Sequence, residues 1–311
     1  MSRRQTIPPA KKFTIDNFNT KFPTNAACLE WHKEKKWPDG IAPCVKCKKD
    51  RKHHKVSGRP AWSCGVCGSM ISPMAGTIFE KSSTSLRTWF YVAFLMASTR
   101  CGISAKQVQR ETGVTYKTAW RMMRQIRKLM AESVKLHKGP IEMDEGFFGG
   151  SDLNKPQHLR GKAKTTVLGT VERNGRVVAR VIPDKSEAAI VPVVREIVWP
   201  RTTIHTDLQP AYEGLRYMGM GLKHKTVNKS QGHKSGHVHT NSVEGFWSLV
   251  KRGIAGVYHQ VGLDYLQSYL DEYTFRYNRR NIMRPMFSLL IERTASRVPL
   301  LAPATQERLS R

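Results

Sequence analysis

Residues 165–182 read TTVLGTVERNGRVVARVI, two runs of β-branched residues on either side of Asn174-Gly175. An Asn-Gly pair between such runs is a strong signal for a tight β-hairpin. We therefore predict two antiparallel strands, at 165–172 and 176–182. This hairpin excludes an all-helical fold for the C-terminal half of the chain.

The sequence around the hairpin predicts further strands and helices. Candidate strands lie at 141–148, 202–206 and 222–227. Candidate helices run from an N-cap at Ser186 to about Trp199, and over 210–217, 241–255 and 263–278. The order β-β-β-α-β-α-β-α is typical of a mixed sheet with helices packed on it, so we expect an α+β fold here.

The whole chain has 311 residues, which is enough for several domains. We expect a multidomain protein with five segments. They are a helical lead-in at 1–40, a cysteine-bearing ribbon at 41–80, a helical region at 83–138, the α+β domain at 139–295 and a tail at 296–311. Gly139-Pro140 marks the start of the α+β domain, because this pair interrupts regular structure.

The charge of the chain indicates a polyanionic partner. Lys and Arg number 52 against 24 Asp and Glu, a net charge of +28. Residues 1–138 hold 27 of the basic and 8 of the acidic residues, so we expect this half to hold nucleic acid. We find no apolar run of membrane-spanning length and no secretory signal, and therefore expect a cytoplasmic, nucleoid-associated protein.

Four cysteines have the spacing of a zinc site. Cys44-x2-Cys47 and Cys64-x2-Cys67 are separated by 16 residues, and two such pairs suit one tetrahedral Zn²⁺. With all four positions taken, the metal would be structural. His53 and His54 are rival ligands that four cysteines make unnecessary. We expect the other two cysteines, Cys28 and Cys101, to be buried as small apolar residues.

A helix-turn-helix is predicted after the ribbon. One helix begins near Ser104 and ends at Gly113, and a second begins near Thr115. The second helix carries a basic series that we interpret as a DNA-contacting stripe: Lys117, Arg121, Arg124 and Arg127. The alternative is a basic solvated helix that only packs the domain.

Acidic residues of the α+β domain form a candidate catalytic set. Asp144 lies in a predicted strand and Asp207 follows another. Asn241, Glu244 and Lys251 share one stripe of a predicted helix. Two strand-borne carboxylates and one helix-borne carboxylate can hold two Mg²⁺ ions, which activate an attacking oxygen and stabilise a leaving oxygen of a phosphodiester.

These motifs resemble those of bacterial insertion-sequence transposases of the DDE type. The chain is most similar to the zinc-ribbon-bearing family IS fifteen-ninety-five. The resemblance rests on MDEGFFGG (143–150), HTD (205–207), HTNSVEGFWSLVKRG (239–253) and FRYNRR (275–280), with WPDG (37–40) ahead of the cysteines. One common variant of the first motif has Thr or Ser where this chain has Gly146.

The resemblance implies an RNase H-like catalytic domain and transposition at terminal inverted repeats. It assigns Asp144 and Asp207 as magnesium ligands. The third ligand is Glu244 or Asn241; we favour Glu244, with Asn241 beside it and Lys251 near a phosphate. Double-stranded DNA, as repeat end and as target, is the implied partner. A dimer or larger synaptic assembly is also implied.

Two other functions fit the same sequence. One is a domesticated transposase that acts as a non-catalytic DNA-binding regulator. The other is an RNase H-like nuclease without strand transfer. The presence of every candidate acid favours the transposase.

Overall fold

A computed structural model describes residues 12–137, 139–149, 164–228 and 237–295. The chain divides into two compact units, one formed by residues 1–129 and 282–311 and one by residues 130–281. The predicted tail at 296–311 lies outside the described residues, as do the first 11 residues of the lead-in. The described helices include none long and apolar enough to cross a membrane.

The first unit begins with two capped helices. The Thr14 hydroxyl accepts from the backbone N–H of Asn17 at the start of α1 (Ile15–Lys21), and Thr24 caps α2 (Asn25–Lys36) in the same way. Both helices place apolar side chains in an aromatic core. Phe22 packs 5.1 Å from Phe90, measured between ring centroids. The predicted helical lead-in is thus present over its described part.

A four-stranded antiparallel sheet follows a 3₁₀ turn at Pro38–Gly40. Its strands, in spatial and chain order, are β1 (Ile41–Pro43), β2 (Asp50–Lys55), β3 (Trp62–Cys64) and β4 (Met70–Ile71). Trp62 is buried, while Val45 and Val66 are exposed. So small a sheet has little apolar core, and such folds usually need a metal or disulfide for stability.

Four helices complete the first unit. They are α3 (Leu86–Ser98), α4 (Ala105–Thr112), α5 (Tyr116–Met130) and, after the second unit in the chain, α9 (Met286–Glu292). Phe287 of α9 lies 4.9 Å from the Phe13 ring and 5.8 Å from the Phe94 ring. The sequence predicted one domain over 139–295. In the structure, residues 282–295 belong to the first unit instead, where α9 packs on α3.

His32 joins three parts of this unit. Its Nε2 donates to the Pro73 carbonyl at 3.1 Å, and its Nδ1 lies 3.3 Å from the Thr294 hydroxyl. The ring is fully buried. Burial, with a smaller contribution from Lys36, lowers the pKa of His32 to about 4. The imidazole is therefore neutral at pH 7.

The second unit is built on a mixed five-stranded sheet. Its strands are β5 (Ile141–Phe148), β6 (Thr165–Glu172), β7 (Val177–Ile182), β8 (Thr203–Thr206) and β9 (Lys223–Thr226). Their spatial order is β7-β6-β5-β8-β9. The pairs β7–β6 and β6–β5 are antiparallel, whereas β5–β8 and β8–β9 are parallel. The predicted hairpin is confirmed, with Asn174 in the left-handed region at φ 58°.

Helices cover both faces of this sheet. On one face, α6 (Glu187–Ile197), with its predicted N-cap Ser186, and a 3₁₀ helix at Pro210–Tyr217 pack on Ile141, Met143 and Ile204. On the other, α7 (Asn241–Gly253) and α8 (Leu266–Asn278) pack on Val167, Val171 and Val177. The predicted mixed α+β fold is confirmed.

Trp247 sets how closely α7 approaches the sheet. A Cβ at Gly169 of β6 would lie 2.4 Å from the Trp247 ring, and a Cβ at Gly146 of β5 would lie 3.0 Å from it. Only glycine at these two positions allows the indole to lie against both strands. The departure from Thr or Ser at position 146 therefore has a packing reason.

Candidate functional site

The four predicted cysteines converge in the first unit. The Sγ atoms of Cys44, Cys47, Cys64 and Cys67 all lie within 4.8 Å of one another. Among the described residues, no other group of three or more His, Cys, Asp or Glu ligand atoms is so close. His53 and His54 are not part of it. A compact set of four sulfur ligands fits Zn²⁺.

The two cysteine pairs lie on two separate turns that have the same geometry. The Cys44 N–H donates to Lys49 O at 3.0 Å, and the Cys64 N–H donates to Ser69 O at 2.9 Å. Left-handed residues close both turns, Lys48 at φ 52° and Gly68 at φ 70°. A hydrogen bond from the Cys47 backbone lowers the pKa of the Cys44 thiol to about 6. The turn therefore favours the thiolate of Cys44, which is the form that binds metal, whereas a hydrogen bond with Cys67 raises the pKa of Cys47 to about 12.

The two remaining cysteines differ from each other. Cys28 is buried, as expected, and burial raises the pKa of its thiol to about 12. Cys101 is exposed, so the prediction of its burial was wrong. It lies in the bend between α3 and α4, next to Gly102 at φ 101°, where the chain faces solvent.

The predicted helix pair is present. Ser104 caps α4, and Gly113 ends it in the left-handed conformation at φ 71°. The Thr115 hydroxyl then accepts from the Thr118 N–H at the start of α5. Lys117, Arg121 and Arg124 are exposed on α5, while Ala119, Met122, Met123 and Ile126 are buried, so the helix has a basic and an apolar side.

Arg127 does not belong to the exposed basic series. Its side chain is only 2% exposed, so the prediction that it contacts DNA was wrong. At 100° per residue, Arg127 lies about 80° behind Lys117 around the helix, whereas Lys128 lies only about 20° from it. Lys128 is exposed and takes the fourth position. The exposed basic stripe is therefore Lys117, Arg121, Arg124 and Lys128.

In the second unit, Asp144 and Asp207 lie on neighbouring parallel strands. Ile141 pairs with Ile204, and Glu142 pairs with His205. Continued by two residues, past the end of β8 at Thr206, this register would bring Asp144 opposite Asp207. Adjacent strands are about 4.8 Å apart, so we expect the two residues to be neighbours. They lie at the carboxyl end of β8, as predicted.

The electrostatics of Glu145 support this proximity. Its carboxylate accepts a hydrogen bond from the buried Tyr212 hydroxyl, on the opposite face of β5 from Asp144. Burial raises the pKa of Glu145, and the charges of Asp144 and Asp207 raise it further. The same two carboxylates contribute to the raised pKa of Tyr212. The charges of both aspartates therefore affect the same hydrogen-bonded pair, the Glu145 carboxyl group and the Tyr212 hydroxyl.

The loop after β8 orients Asp207. Its Oδ1 accepts from the Gln209 N–H at 3.1 Å, so the carboxylate also stabilises its own turn. The Thr206 hydroxyl lies 2.7 Å from the Asp207 carbonyl and 2.8 Å from His224 Nε2 of β9. Burial, aided by Arg216, lowers the pKa of His224.

The helix-borne candidates lie on α7 as predicted. Asn241 is its first residue and is exposed. Glu244 is partly buried, and its Oε1 accepts from the Thr240 hydroxyl at 2.9 Å. Lys251 is exposed in the last turn, about 10 Å along the helix axis from Glu244 at 1.5 Å per residue. Val243, Trp247 and Val250 face the sheet.

A buried glutamate that the sequence analysis did not single out holds the start of α7. Glu142 is fully buried on β5, and its Oε2 accepts from the backbone N–H groups of Ser242 at 2.6 Å and Val243 at 3.3 Å. These are orphan donors of the helix N-terminus, where a carboxylate is favourable. Thr240, the N-cap residue, makes no side-chain cap.

Arg173 connects this glutamate to β8. Its Nε donates to Glu142 at 2.7 Å, and its other nitrogens donate to the carbonyls of His237 and His239. Arg173 Nη2 also lies 3.0 Å from His205 Nδ1. Arginine cannot accept, so Nδ1 accepts and the proton of the neutral ring is on Nε2. Burial, then Arg173, lowers the pKa of His205 to about 4.

Comparisons with known proteins point to one class. Residues 137–278 match the family described as ISXO2-like transposase domain. An uncharacterized protein in transposable element ISH50 of Halobacterium salinarum is 28% identical over 265 residues, covering 78% of this chain and 86% of the relative. An uncharacterized transposase-like protein of Haemophilus influenzae is 26% identical over 107 residues, covering 34% and 85%.

The chain is also similar to solved structures. A chain in the cryo-EM structure of the simian T-cell lymphotropic virus intasome with PP2A regulatory subunit B56 gamma is 15% identical. The match covers 71% of this chain and 78% of that chain, with a TM-score of 0.33.

Proposed function

Through residues 137–278, this chain belongs to the transposases that carry the ISXO2-like transposase domain, and on that premise we propose that it cuts and joins DNA at the terminal inverted repeats of an insertion sequence. The chemistry is a direct transesterification, in which a DNA 3′-hydroxyl attacks a phosphodiester of the target. No covalent protein intermediate is formed. The protein acts on double-stranded DNA in the cytoplasm.

One observation carries the proposal. Continuing the register of β5 and β8 would bring Asp144 next to Asp207, and α7, which carries Glu244, is hydrogen-bonded to β5 two residues before Asp144. This arrangement supports a site formed by Asp144, Asp207 and Glu244. The mixed sheet with helices on both faces supports the RNase H-like interpretation.

The donor set fits a magnesium site. Carboxylate oxygens are the ligands Mg²⁺ prefers. Burial is the main cause of the raised pKa of Glu145, and the charges of Asp144 and Asp207 add to it, which supports their proximity. Asp144 and Asp207 would hold the metal from the sheet and Glu244 from the helix, with the Asn241 amide as the alternative. Bound Mg²⁺ supplies activation of the attacking oxygen and stabilisation of the leaving oxygen. Lys251 would hold a DNA phosphate beyond this site.

The first unit supplies the DNA-holding surface. Four exposed basic residues on one side of α5, at steps of 4, 3 and 4, suit the backbone or major groove of a duplex. The ribbon, with structural zinc, adds further exposed lysines. Two DNA ends must be held together for transposition, so we propose that the active form is a dimer or a larger synaptic assembly.

Strand transfer in vitro tests the proposal. Full-length protein would be mixed with a labelled inverted-repeat end and a supercoiled target, with Mg²⁺ or with EDTA. We expect Mg²⁺-dependent joining that is lost in Asp144→Asn and Asp207→Asn while repeat binding is retained. Asp264→Asn, an exposed aspartate of the same unit, is the matched control.

The remaining variants assign the third ligand. Loss of joining in Glu244→Gln with activity in Asn241→Ala supports Glu244, and the reverse supports Asn241. Tight repeat binding by the wild type without cleavage or joining under any divalent metal would refute the enzyme and favour the regulator. Cleavage without joining would favour the nuclease.

A further inference from the structure

A buried polar network connects the three segments that carry the candidate carboxylates Asp144, Asp207 and Glu244. Its members are Glu142, Arg173, His205 and Ser242, which we call the Glu142 network. Glu142 and His205 are 0% and 3% exposed. All its contacts are within the second unit.

The network has a fixed relation to the site in the sequence. Glu142 precedes Asp144 by two residues on β5, and His205 precedes Asp207 by two at the end of β8. Ser242 precedes Glu244 by two in the first turn of α7. Residues two apart on a strand face the same side of the sheet. Glu142 therefore lies on the same face of β5 as Asp144, and it pairs with His205 of β8. Glu142 and His205 thus form a row of side chains next to Asp144 and Asp207.

The contacts join the three elements through one carboxylate. Glu142 accepts from the Ser242 hydroxyl at 3.1 Å in addition to the two backbone N–H groups of α7. Arg173 bridges Glu142 and His205, and its Nη1 donates to His237 O at 2.7 Å in the segment that enters α7. His239 Nδ1 also lies 3.1 Å from Glu142, although not in hydrogen-bonding geometry.

We infer that Glu142 and Arg173 are positioning residues that set the separation of Asp144, Asp207 and Glu244 and thereby the affinity of the site for divalent metal. The inference rests on the proposed function. Removing the charge of Glu142 releases the first turn of α7 and with it Glu244. Removing Arg173 leaves Glu142 buried without its cation and frees the segment before α7.

The test uses zinc-loaded full-length protein and two readouts that need no catalysis. Mn²⁺ affinity is measured by the electron paramagnetic resonance of free Mn²⁺, and amide hydrogen exchange is measured at residues 242 and 243. The variants are Glu142→Gln, Arg173→Met and Arg173→Lys. Arg180→Met is the control, because Arg180 makes a more exposed ion pair with Glu196 in the same unit.

We expect Glu142→Gln and Arg173→Met to raise the Kd for Mn²⁺ by about tenfold or more, the usual effect of losing a residue that holds a metal ligand. Exchange at 242 and 243 should accelerate, with repeat binding unchanged. Arg173→Lys should be intermediate, because lysine cannot bridge several acceptors in one plane. Because glutamine has nearly the same shape as glutamate, Glu142→Gln still tests the inference if Arg173→Met does not fold.

Wild-type Mn²⁺ affinity in both Glu142→Gln and Arg173→Lys would overturn the inference. An equal loss in Arg180→Met would also overturn it, since the effect would then be general destabilisation. In both cases the wild type would still bind metal and join DNA. A wild type that does neither refutes the proposed function itself.

Discussion

Replacing Gly169 with alanine should test how the packing of α7 controls catalysis. The new Cβ would lie 2.4 Å from the Trp247 ring, whereas ordinary contacts begin at 3.4 Å. The helix must therefore move away from the sheet by about 1 Å, or the indole must rotate. Glu244 is one turn from Trp247 on the same helix, so this movement also shifts Glu244 relative to β5.

The magnitude follows from two effects. Overpacking of this kind costs about 1–3 kcal/mol, and each kcal/mol lowers the melting temperature by about 2–4 °C in a unit of about 150 residues. A misplacement of about 1 Å near reacting groups lowers rates by roughly 100-fold. We therefore expect strand transfer to fall about 100-fold, with repeat binding unchanged.

The assay is the strand-transfer rate at saturating Mg²⁺, with melting measured by circular dichroism. Gly245→Ala is the matched control, because Gly245 is on the exposed side of the same helix with open space around it. There alanine should stabilise the helix by about 0.5–1 kcal/mol. Trp247→Phe should restore part of the activity of Gly169→Ala, because the smaller ring leaves room for the methyl group. Wild-type rate and melting in Gly169→Ala would refute this reasoning.

Three further predictions concern the first unit. Cys44→Ser should lower bound zinc from one per chain to nearly none by elemental analysis; a metal-free wild type would contradict the site. Lys128→Gln should weaken repeat binding and reduce the slope of log K against log salt by about 1, whereas Arg127→Gln should lower the melting temperature and leave that slope unchanged. His32 has a folded pKa of about 4, below its usual 6.5. The unfolded state therefore binds the extra proton first, and the stability from neutral His32 is lost as pH falls from about 6.5 to 4. A flatter profile of melting temperature against pH in His32→Gln would confirm this, and an unchanged profile would exclude it.

Local signals in the sequence predicted most of the elements. The hairpin at Asn174-Gly175, the cap at Ser186 and the end of α4 at Gly113 each depend on a few adjacent residues. The paired cysteines are equally local. Helical geometry also predicts the burial of Arg127, because two consecutive steps of three residues turn its side chain about 80° away from Lys117.

Contacts between distant segments were less predictable. Glu142 is one of three acidic residues in the predicted strand 141–148, and only the fold shows that Ser242, 100 residues later, donates to it. The register that brings Asp207 opposite Asp144 depends on a parallel pairing of strands about 60 residues apart. The return of Phe287 to the aromatic core likewise depends on tertiary packing.

That return has a consequence for biosynthesis. The ribosome completes the whole second unit before it makes Phe287, whose ring lies within about 6 Å of Phe13, Phe18, Phe22 and Phe94. The amino-terminal unit therefore cannot complete its aromatic core during translation ahead of the second unit. A chain terminated before Phe287 would carry an amino-terminal unit with an incomplete core.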